Sequence, residues 1–413
     1  MKNLKYFLFL LVILFVISGC SARNQVAVIW TNSVDFISYA EKFNSSQDEW
    51  KVVVKYKESP SQALVLEQEK PDIIISPWLK SRETRSYFTT LDYLFSELDL
   101  DRSIFYKELL ELGKIQGFQY LLPVNFNLPA VIFKNDGNNF SQSKFILSLD
   151  EIKKTSKEYN VKKGDVYTRM GFVPSAYPEF MYLTTVLFGS GYEEGGKLFS
   201  WNQENLDKGI SYIKDWITEA NTSFTAEQDF VFKYFYNPAY NLVMDGRILL
   251  AYTTSRELFT YSLDKLSNLD YRWITLNGEV PVLEDMLYLG ICKEGKNRRA
   301  ARAFVTWFFN EETQKNLLEN SKNLSLMNTS FGIAGGFSSI KNINDKVLPG
   351  FYPVLLGHLS QLENIIVPNV LPSNWVTLKT RIILPFIKDK IISEETDKII
   401  PMETRIDIWL REN

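Results

Sequence analysis

Strand-type and helix-type stretches alternate over the first part of the chain. The β-branched apolar run from Val26 to Trp30 is followed by a polar turn and then by apolar residues at helical spacing between Phe36 and Phe43. The run Ile73-Ile74-Ile75 is typical of a strand that is buried on both faces. This alternation predicts a parallel sheet with helices on both faces.

The chain then leaves this pattern and returns to it much later. Strand-type sequence stops near residue 133 and reappears at Leu287 to Cys292, whereas the middle and the tail are richer in helix. Pro123 and Pro129 interrupt any regular element between two predicted strands, and a second interruption carries three glycines, Gly332, Gly335 and Gly336. We therefore predict that the chain crosses between two lobes more than once. Such crossing locates a ligand site in the crevice between the lobes and implies hinge closure.

The first twenty residues predict export. Lys2 and Lys5 precede an apolar run from Tyr6 to Ile17, which is shorter than the ~20 residues that a membrane-spanning helix needs. Ile17-Ser18-Gly19-Cys20 is similar to the lipobox of bacterial lipoproteins, in which the cysteine becomes a lipid-bearing thioether. We expect a lipoprotein signal peptide over residues 1–19 and a mature chain held on a bacterial membrane by acyl chains on Cys20. The alternative is an ordinary signal peptide that ends near a cysteine.

The composition excludes several functions. Lys plus Arg number 46 and Asp plus Glu number 49, so the formal net charge is -3 and nucleic acid is not an expected partner. One histidine, His358, and two cysteines cannot supply a histidine cluster for zinc or a disulfide framework within one chain. Aromatic residues make up 14% of the chain, which is more than core packing normally takes. Some are therefore expected in a binding cleft.

Four stretches, in this order, resemble the extracellular solute-binding proteins of ABC importers, within the sugar-binding cluster of the maltose-binding and glycerol-phosphate-binding proteins. They are Val26 to Asn32 with the helix that follows, Lys70 to Pro77, Leu122 to Asn135, and Gly295 to Leu318. Val367-Pro368-Asn369, six residues before Trp375, is similar to the region where relatives carry a cleft aromatic. The glycine-rich turn that usually precedes the strand before Gly295 is replaced by Leu283-Glu284-Asp285-Met286.

The resemblance implies an α/β, two-lobe fold like that of type II periplasmic binding proteins, with an interlobe hinge and cleft. Residues 20–127 and 276–330 are assigned to the first lobe, residues 133–270 and 335–413 to the second, and residues 128–132, 271–275 and 331–334 to the crossings. We expect a monomer that needs no cofactor and no metal.

A sugar cleft needs a flat aromatic face for the ring and amides or hydroxyls for its hydroxyl groups. Trp78 lies just past the predicted strand Ile73–Ile75, and Trp375 begins a helix, so both are predicted to stack on the solute; for each, the alternative is a packing role. The alternative for Asn125 and Asn127 is a role in the turn itself, and the alternative for Tyr182, Tyr252 and Thr254 is a core position. We expect an aromatic, uncharged cleft with the following ligand-binding residues: Asn32, Ser33, Trp78, Asn125, Asn127, Tyr182, Tyr252, Thr254 and Trp375.

The predicted function is the lipid-anchored solute-binding component of an ABC importer, which captures a sugar or oligosaccharide and presents it to a permease and its ATPase. One alternative is an envelope lipoprotein that uses the same fold as a sensor, adhesin or structural protein. Another is a glycan-active enzyme, because Glu284 and Asp285 can be written as an acid and a base, although adjacent carboxylates are usually solvated. No catalytic residue is predicted, and Cys292 is expected to be buried.

Overall fold

A computed structural model describes residues 26–97, 99–136, 145–393 and 398–412. The predicted signal peptide and the predicted lipidation site at Cys20 lie outside these residues. Within the described part of the chain, no helix combines the length and the apolar character that crossing a membrane requires.

The strands are β1 (Val26–Thr31), β2 (Lys51–Tyr56), β3 (Ile73–Ser76), β4 (Lys114–Ile115), β5 (Phe118–Gln119), β6 (Leu121–Pro123), β7 (Asn125–Phe126), β8 (Pro129–Lys134), β9 (Ile146–Ser148), β10 (Val161–Lys163), β11 (Val166–Arg169), β12 (Glu193–Glu194), β13 (Phe199–Ser200), β14 (Ala251–Thr254), β15 (Leu269–Thr275), β16 (Val280–Pro281), β17 (Tyr288–Ile291), β18 (Phe337–Ser338) and β19 (Ile365–Ile366).

The α-helices are α1 (Asp35–Ser46), α2 (Pro60–Leu66), α3 (Asp92–Ser96), α4 (Lys107–Leu112), α5 (Leu149–Tyr159), α6 (Pro178–Leu187), α7 (Gln203–Asn221), α8 (Phe224–Tyr234), α9 (Ala239–Met244), α10 (Ser255–Leu258), α11 (Leu263–Ser267), α12 (Arg298–Phe308), α13 (Glu311–Asn323), α14 (Leu348–Phe351), α15 (Trp375–Leu378), α16 (Leu384–Ile392) and α17 (Met402–Glu412). Two π-helical stretches, Ile343–Val347 and Lys379–Ile383, lead directly into α14 and α16.

The first sheet has the strand order β2-β1-β3-β17-β6. β1 is parallel to β2 and β3, whereas β17 is antiparallel to both β3 and β6. The three isoleucines of β3 are fully buried, as their unbroken apolar run predicts. Helices α1 and α12 cover one face through aromatic contacts such as Phe43 with Phe304, whose ring centroids are 5.4 Å apart.

The second sheet has the order β14-β8-β15-β9. β8 is antiparallel to β14 and β15, and β15 is parallel to β9. Successive residues of β8 enter different apolar clusters: Ile132 belongs to the core that continues to the first sheet, whereas Val131 packs with helices α6 and α7 on the other face. Both faces are therefore covered, since side chains alternate along a strand.

A helical layer made by α6, α7 and the C-terminal helices has its own apolar cluster. Here the chain is helical from Trp375 to Ile392, with the π-helical stretch directly before Pro385. Proline supplies no N–H and displaces the carbonyl one turn earlier, so a local widening lets the helix continue. Pro385 is thus accommodated without ending the helix.

The segments that join the two sheets differ from the predicted crossings. Residues 129–132 belong to β8 and residues 271–275 to β15, and both strands are paired within the second sheet. The segments that join the two sheets are therefore residues 124–128 and 276–287. The predicted boundary at 128–132 was wrong because Pro129 is the first residue of a strand, a position that tolerates proline. The glycine-rich segment lies beside the first crossing, where β18 pairs with β7. A Cβ on Gly336 would lie 2.7 Å from the Phe126 carbonyl oxygen, so only glycine fits there.

Many of the aromatic residues pack at the junction of the sheets. The ring of Phe331 lies 4.6 Å from Phe259, 5.0 Å from Phe337 and 5.0 Å from Tyr352, measured between centroids. All four rings are buried in one continuous core that includes residues of both sheets. The high aromatic content therefore serves the core and the junction as well as any cleft.

Candidate functional site

Two adjoining cavities lie where the carboxyl ends of β1 and β3 face the end of β14, and together they are called the cleft. Their volumes are about 430 and about 700 Å³, within the range of ~300–1,000 Å³ common for small-molecule sites. Four residues line both cavities: Trp78, Arg256, Asp285 and Val376. A site outside the carboxyl ends of parallel strands is the arrangement expected for an open α/β sheet.

The first wall of the cleft is built by the turns after β1 and β3. Asn32 and Ser33 follow β1 and line the larger cavity. Asp35, in the first turn of α1, accepts hydrogen bonds from the hydroxyls of Ser33 (3.2 Å) and Ser330 (3.0 Å). Burial raises the pKa of Asp35, and these hydrogen bonds oppose that shift. This wall therefore presents a carboxylate that two hydroxyls already hold in place.

Trp78 follows β3 and lines both cavities. Its φ of 57° lies in the left-handed region, which costs a non-glycine residue ~1–2 kcal/mol. Its indole ring packs partly against the helical layer, and its buried Nε1 has no hydrogen-bond partner among the described residues. Strained residues are concentrated at ligand sites, so this conformation agrees with a role in binding.

The second wall is aromatic and comes from β14 and the segment before α6. Tyr252 and Thr254 are two residues apart on β14, so their side chains are on the same face, and both line the smaller cavity. The rings of Tyr177 and Tyr252 are 6.0 Å apart between centroids. The buried hydroxyl oxygen of Tyr177 has no partner within the described parts of the chain. Two aromatic rings therefore lie together at one end of the cleft.

Charged side chains cross the cleft, so the prediction of an uncharged cleft was wrong. Arg256, on α10, donates from Nη1 to Asp285 Oδ2 over 2.6 Å and from Nε to the Gly335 carbonyl over 3.3 Å. Lys379 donates to Glu179 and Glu284, with both N–O distances at 2.7 Å. Each cation thus joins the second wall or the helical layer to the segment between the sheets.

The local electrostatics follow from this crowding of carboxylates. Burial works to lower the pKa of Lys379, but Glu284 and Glu179 outweigh it and raise that pKa. Burial raises the pKa of Tyr252, and the carboxylates of Glu179, Glu284, Glu257 and Asp285 raise it further. Both effects keep the Tyr252 hydroxyl protonated.

Most of the predicted ligand-binding residues do reach the cleft. The following six line one or both cavities: Asn32, Ser33, Trp78, Asn127, Tyr252 and Thr254. Asn127 is only 1% exposed, and it donates to the Gly335 carbonyl and accepts from the Ser255 hydroxyl. The Asn127 amide already makes hydrogen bonds within the protein through both its nitrogen and its oxygen, so it has little capacity left to bind a solute.

Asn125 does not line the cleft. It is fully buried, its Nδ2 donates to the carbonyls of Ile333 and Ala334, and its Oδ1 accepts from the Leu287 backbone N–H. These bonds join the three connecting segments. The prediction of ligand contact is corrected to a structural role, since an amide that is occupied by backbone groups has nothing left to offer a solute.

Trp375 and Tyr182 also face away from the cleft. Trp375 is fully buried, with its ring 5.5 Å from Phe199 and 5.8 Å from Tyr192. Tyr182 stacks on Tyr192 at 5.4 Å and lies beneath the ammonium group of Lys379. Both belong to the core of the helical layer, so their predicted stacking on a solute is corrected to packing. Val376, the next residue along the helix, is the one that lines the cleft.

The ionic residues of the cleft could not be identified from the sequence. Only Glu284 and Asp285 stand out there as an adjacent pair, and adjacent carboxylates are usually solvated. The remaining missed lining residues carry no local motif; among them are Tyr177, Glu179, Arg256, Glu257 and Lys379. No group of three or more His, Cys, Asp or Glu side chains suited to a metal ion occurs in the described ranges. Cys292 is buried, as expected from its apolar neighbours.

A two-lobe α/β fold with a cleft at the strand ends is typical of solute-binding proteins. Comparison with known protein families agrees with this class. A family model described as bacterial extracellular solute-binding protein matches residues 38–331, which is well over half of the chain. The chain belongs to this family of exported proteins. No curated protein matches the chain significantly.

Solved structures with the same two-lobe fold cover nearly the whole chain. An ABC substrate-binding protein from Listeria monocytogenes, in complex with cycloalternan, has a TM-score of 0.63 at 14% identity and covers 94% of this chain and 97% of that one. A sugar transporter from Rhizobium etli in an open conformation has a TM-score of 0.66 at 12% identity, covering 92% and 98%. The GacH receptor of Streptomyces glaucescens has a TM-score of 0.62 at 14% identity, covering 94% and 97%. At these identities the likeness establishes the fold.

Proposed function

We propose that the protein is the solute-binding component of an ABC importer and that it captures a sugar or oligosaccharide in the cleft. The observation that carries this proposal is the position of Trp78, an aromatic ring in a strained conformation that lines both cavities. A flat ring that borders both cavities of the cleft suits the stacking of a sugar ring. The names of the similar structures agree, because they include proteins solved with cycloalternan and with maltotetraose.

Capture depends on contacts to both walls at once. A solute stacked on Trp78 can also reach Asn32 and Ser33 on one side and Thr254 on the other. Only contacts made in the closed state alone favour that state, so a solute that bridges the walls stabilises closure of the lobes. The closed form is then the form that a permease with its ATPase receives, and hinge motion about residues 124–128 and 276–287 produces it.

The ion pairs of the cleft favour a solute-binding function over a glycosidase. Glu179 and Glu284 share Lys379, and Asp285 pairs with Arg256. A glycosidase needs one protonated carboxylic acid and one free carboxylate on opposite sides of the bond to be cleaved. Glu179, Glu284 and Asp285 are all held by cations, so the adjacent Glu284 and Asp285 do not supply such a pair. We propose no catalytic residue.

We also propose that acyl chains on Cys20 hold the mature protein on the membrane surface, with the lobes exposed to the solute. The lipobox-like residues before Cys20 support this proposal. Expression in a bacterial host tests it: wild-type protein should fractionate with membranes and Cys20→Ser protein should not. A wild-type protein found only in the soluble fraction would contradict the anchor without affecting the binding function.

The binding function is tested by thermal unfolding in the presence of saccharides, with Trp78→Ala as the variant. A saccharide at 100 times its dissociation constant adds ~2.7 kcal/mol to the free energy of unfolding, so a bound sugar should raise the melting temperature of wild-type protein. Trp78→Ala should lose this response, whereas Trp50→Ala, a change in a partly exposed tryptophan away from the cleft, should keep it. Wild-type protein that responds to no saccharide would favour the sensor or structural alternative.

A further inference from the structure

The cleft carries a large excess of negative charge. Six carboxylates line its two cavities, from Asp35, Glu41, Glu179, Glu257, Glu284 and Asp285, and they face two cations, Arg256 and Lys379. The formal charge of this lining is thus -4, whereas the whole chain carries -3. The rest of the chain is close to neutral, so the charge is concentrated where the solute would bind.

Both cations are already occupied. The ammonium group of Lys379 is shared by Glu179 and Glu284, and the guanidinium of Arg256 is bound to Asp285. Glu257 has no cation within salt-bridge distance among the described residues, and it accepts a hydrogen bond from the Thr253 hydroxyl at 3.3 Å. No basic side chain of the lining is therefore left to neutralise a further carboxylate.

The aromatic residues of the cleft add to the same preference. Trp78, Tyr177 and Tyr252 line the smaller cavity together with Glu179, Glu257, Glu284 and Asp285. The face of an aromatic ring is itself negative and attracts cations. The same four carboxylates act on the Tyr252 hydroxyl. The Tyr177 hydroxyl is buried and has no partner within the described ranges, so it offers no positive charge to oppose a bound cation.

We propose that the solute carries a protonated amine, which makes the ligand class a basic saccharide with unacetylated amino groups. This inference rests on the proposed function and narrows it. The amine occupies the smaller cavity, where the faces of Tyr177 and Tyr252 and the carboxylate of Glu257 surround it. The remaining sugar rings extend past Trp78 into the larger cavity.

Isothermal titration calorimetry with matched saccharides tests the proposal. The first set is the β-1,4-linked glucosamine trisaccharide, its N-acetylated counterpart and cellotriose; the second set is acarbose, whose linkage contains a nitrogen, and maltotetraose. In at least one set the amine-bearing member should bind at least tenfold more tightly. Raising the salt concentration from ~10 to ~150 mM should weaken that member severalfold and leave the neutral members unchanged, because salt screens only the charged contact.

A charge-removing variant locates the effect. Glu257→Gln should weaken the amine-bearing ligand by about three- to tenfold and so reduce its advantage over the matched neutral ligand, while Asp215→Asn, on the exposed face of α7, should leave that advantage unchanged. Neutral saccharides that bind as tightly as their amine-bearing partners would overturn this inference and leave the proposed function intact. If no member of either set binds, this inference fails, and the thermal-unfolding test with other saccharides decides the proposed function separately.

Discussion

The ammonium group of Lys379 lies 2.7 Å from the carboxylate of Glu284, and both side chains are only 13% exposed. Lys379 begins the π-helical stretch of the C-terminal helices, whereas Glu284 belongs to the segment that joins β15 to β17. Glu179, at the start of α6, binds the same ammonium group. Three segments that are far apart in sequence are therefore held together by one cation at the edge of the cleft.

Replacing Lys379 by methionine should destabilise the protein by about 2–4 kcal/mol, because it leaves the carboxylate of Glu284 buried and unpaired. Lys379→Arg should keep most of the stability, since the charge is retained. Urea unfolding at neutral pH measures both. A methionine variant as stable as wild type would mean that Glu284 moves into solvent when its partner is lost.

The same ion pair predicts a loss of stability at alkaline pH. The neighbouring carboxylates raise the pKa of Lys379 against the effect of burial. A raised folded pKa means that the stabilisation is complete below ~10.4, the pKa of an unfolded lysine, and is lost as the pH rises through the folded value.

Glu227 gives a second pH dependence of stability, which comes from an acidic group and not from a basic one. Its side chain is fully buried, accepts from the Asn221 amide (2.5 Å) and from the Ser175 backbone N–H (3.0 Å), and burial raises its pKa from 4.5 to about 7. The folded protein therefore holds a proton that the unfolded chain has released. The stability due to Glu227 is greatest below pH 4.5 and is lost as the pH rises to about 7.

Glu227→Gln removes this titration. Relative to the variant, wild-type protein should lose about 3 kcal/mol of stability over this pH range, from ~1.4 kcal/mol per unit of pKa shift. Denaturant unfolding at several pH values measures the difference, and Asp229→Asn, an exposed acid on the same helix, serves as the control. A constant difference between wild type and Glu227→Gln would contradict the prediction.

Asn125 is predicted to stabilise the junction and not to bind the solute directly. Asn125→Ala removes one acceptor and two donor contacts from a buried site and should cost about 2–4 kcal/mol, whereas Asn241→Ala, on an exposed helix position, should change stability by less than ~0.5 kcal/mol. Urea unfolding measures this cost, and calorimetry measures saccharide affinity in the same samples. Unchanged stability with lost affinity would restore the original reading of Asn125 as a ligand-binding residue.

The first wall of the cleft could be predicted because it depends on local rules. The buried run of β3 and the polar turn after β1 mark strand ends, and parallel strands bring their carboxyl ends to one edge. Asn32, Ser33 and Trp78 follow directly from that reasoning. Tyr252 and Thr254 could be predicted for a similar reason, since they occupy alternate positions on one strand.

Trp375 could not be assigned correctly from its position in the sequence. One residue along a helix changes the direction of a side chain by about 100°, so Trp375 lies in the core and Val376 in the cleft. Which of the two faces the solute depends on how the helix packs on Phe199 and Tyr192, nearly two hundred residues earlier.

The sequence by itself determined the alternation of strands and helices, the return of the chain to its first sheet, and the polar turns at the ends of the strands, because periodicity distinguishes buried faces from exposed ones. Only the tertiary structure decided the charge of the cleft. No local sequence pattern distinguishes Glu179, Glu284 and Lys379 from other charged residues. The effect of a charge depends on the groups that folding brings within a few ångströms of it. Such pairings join residues about a hundred positions apart or more, beyond the reach of any local pattern.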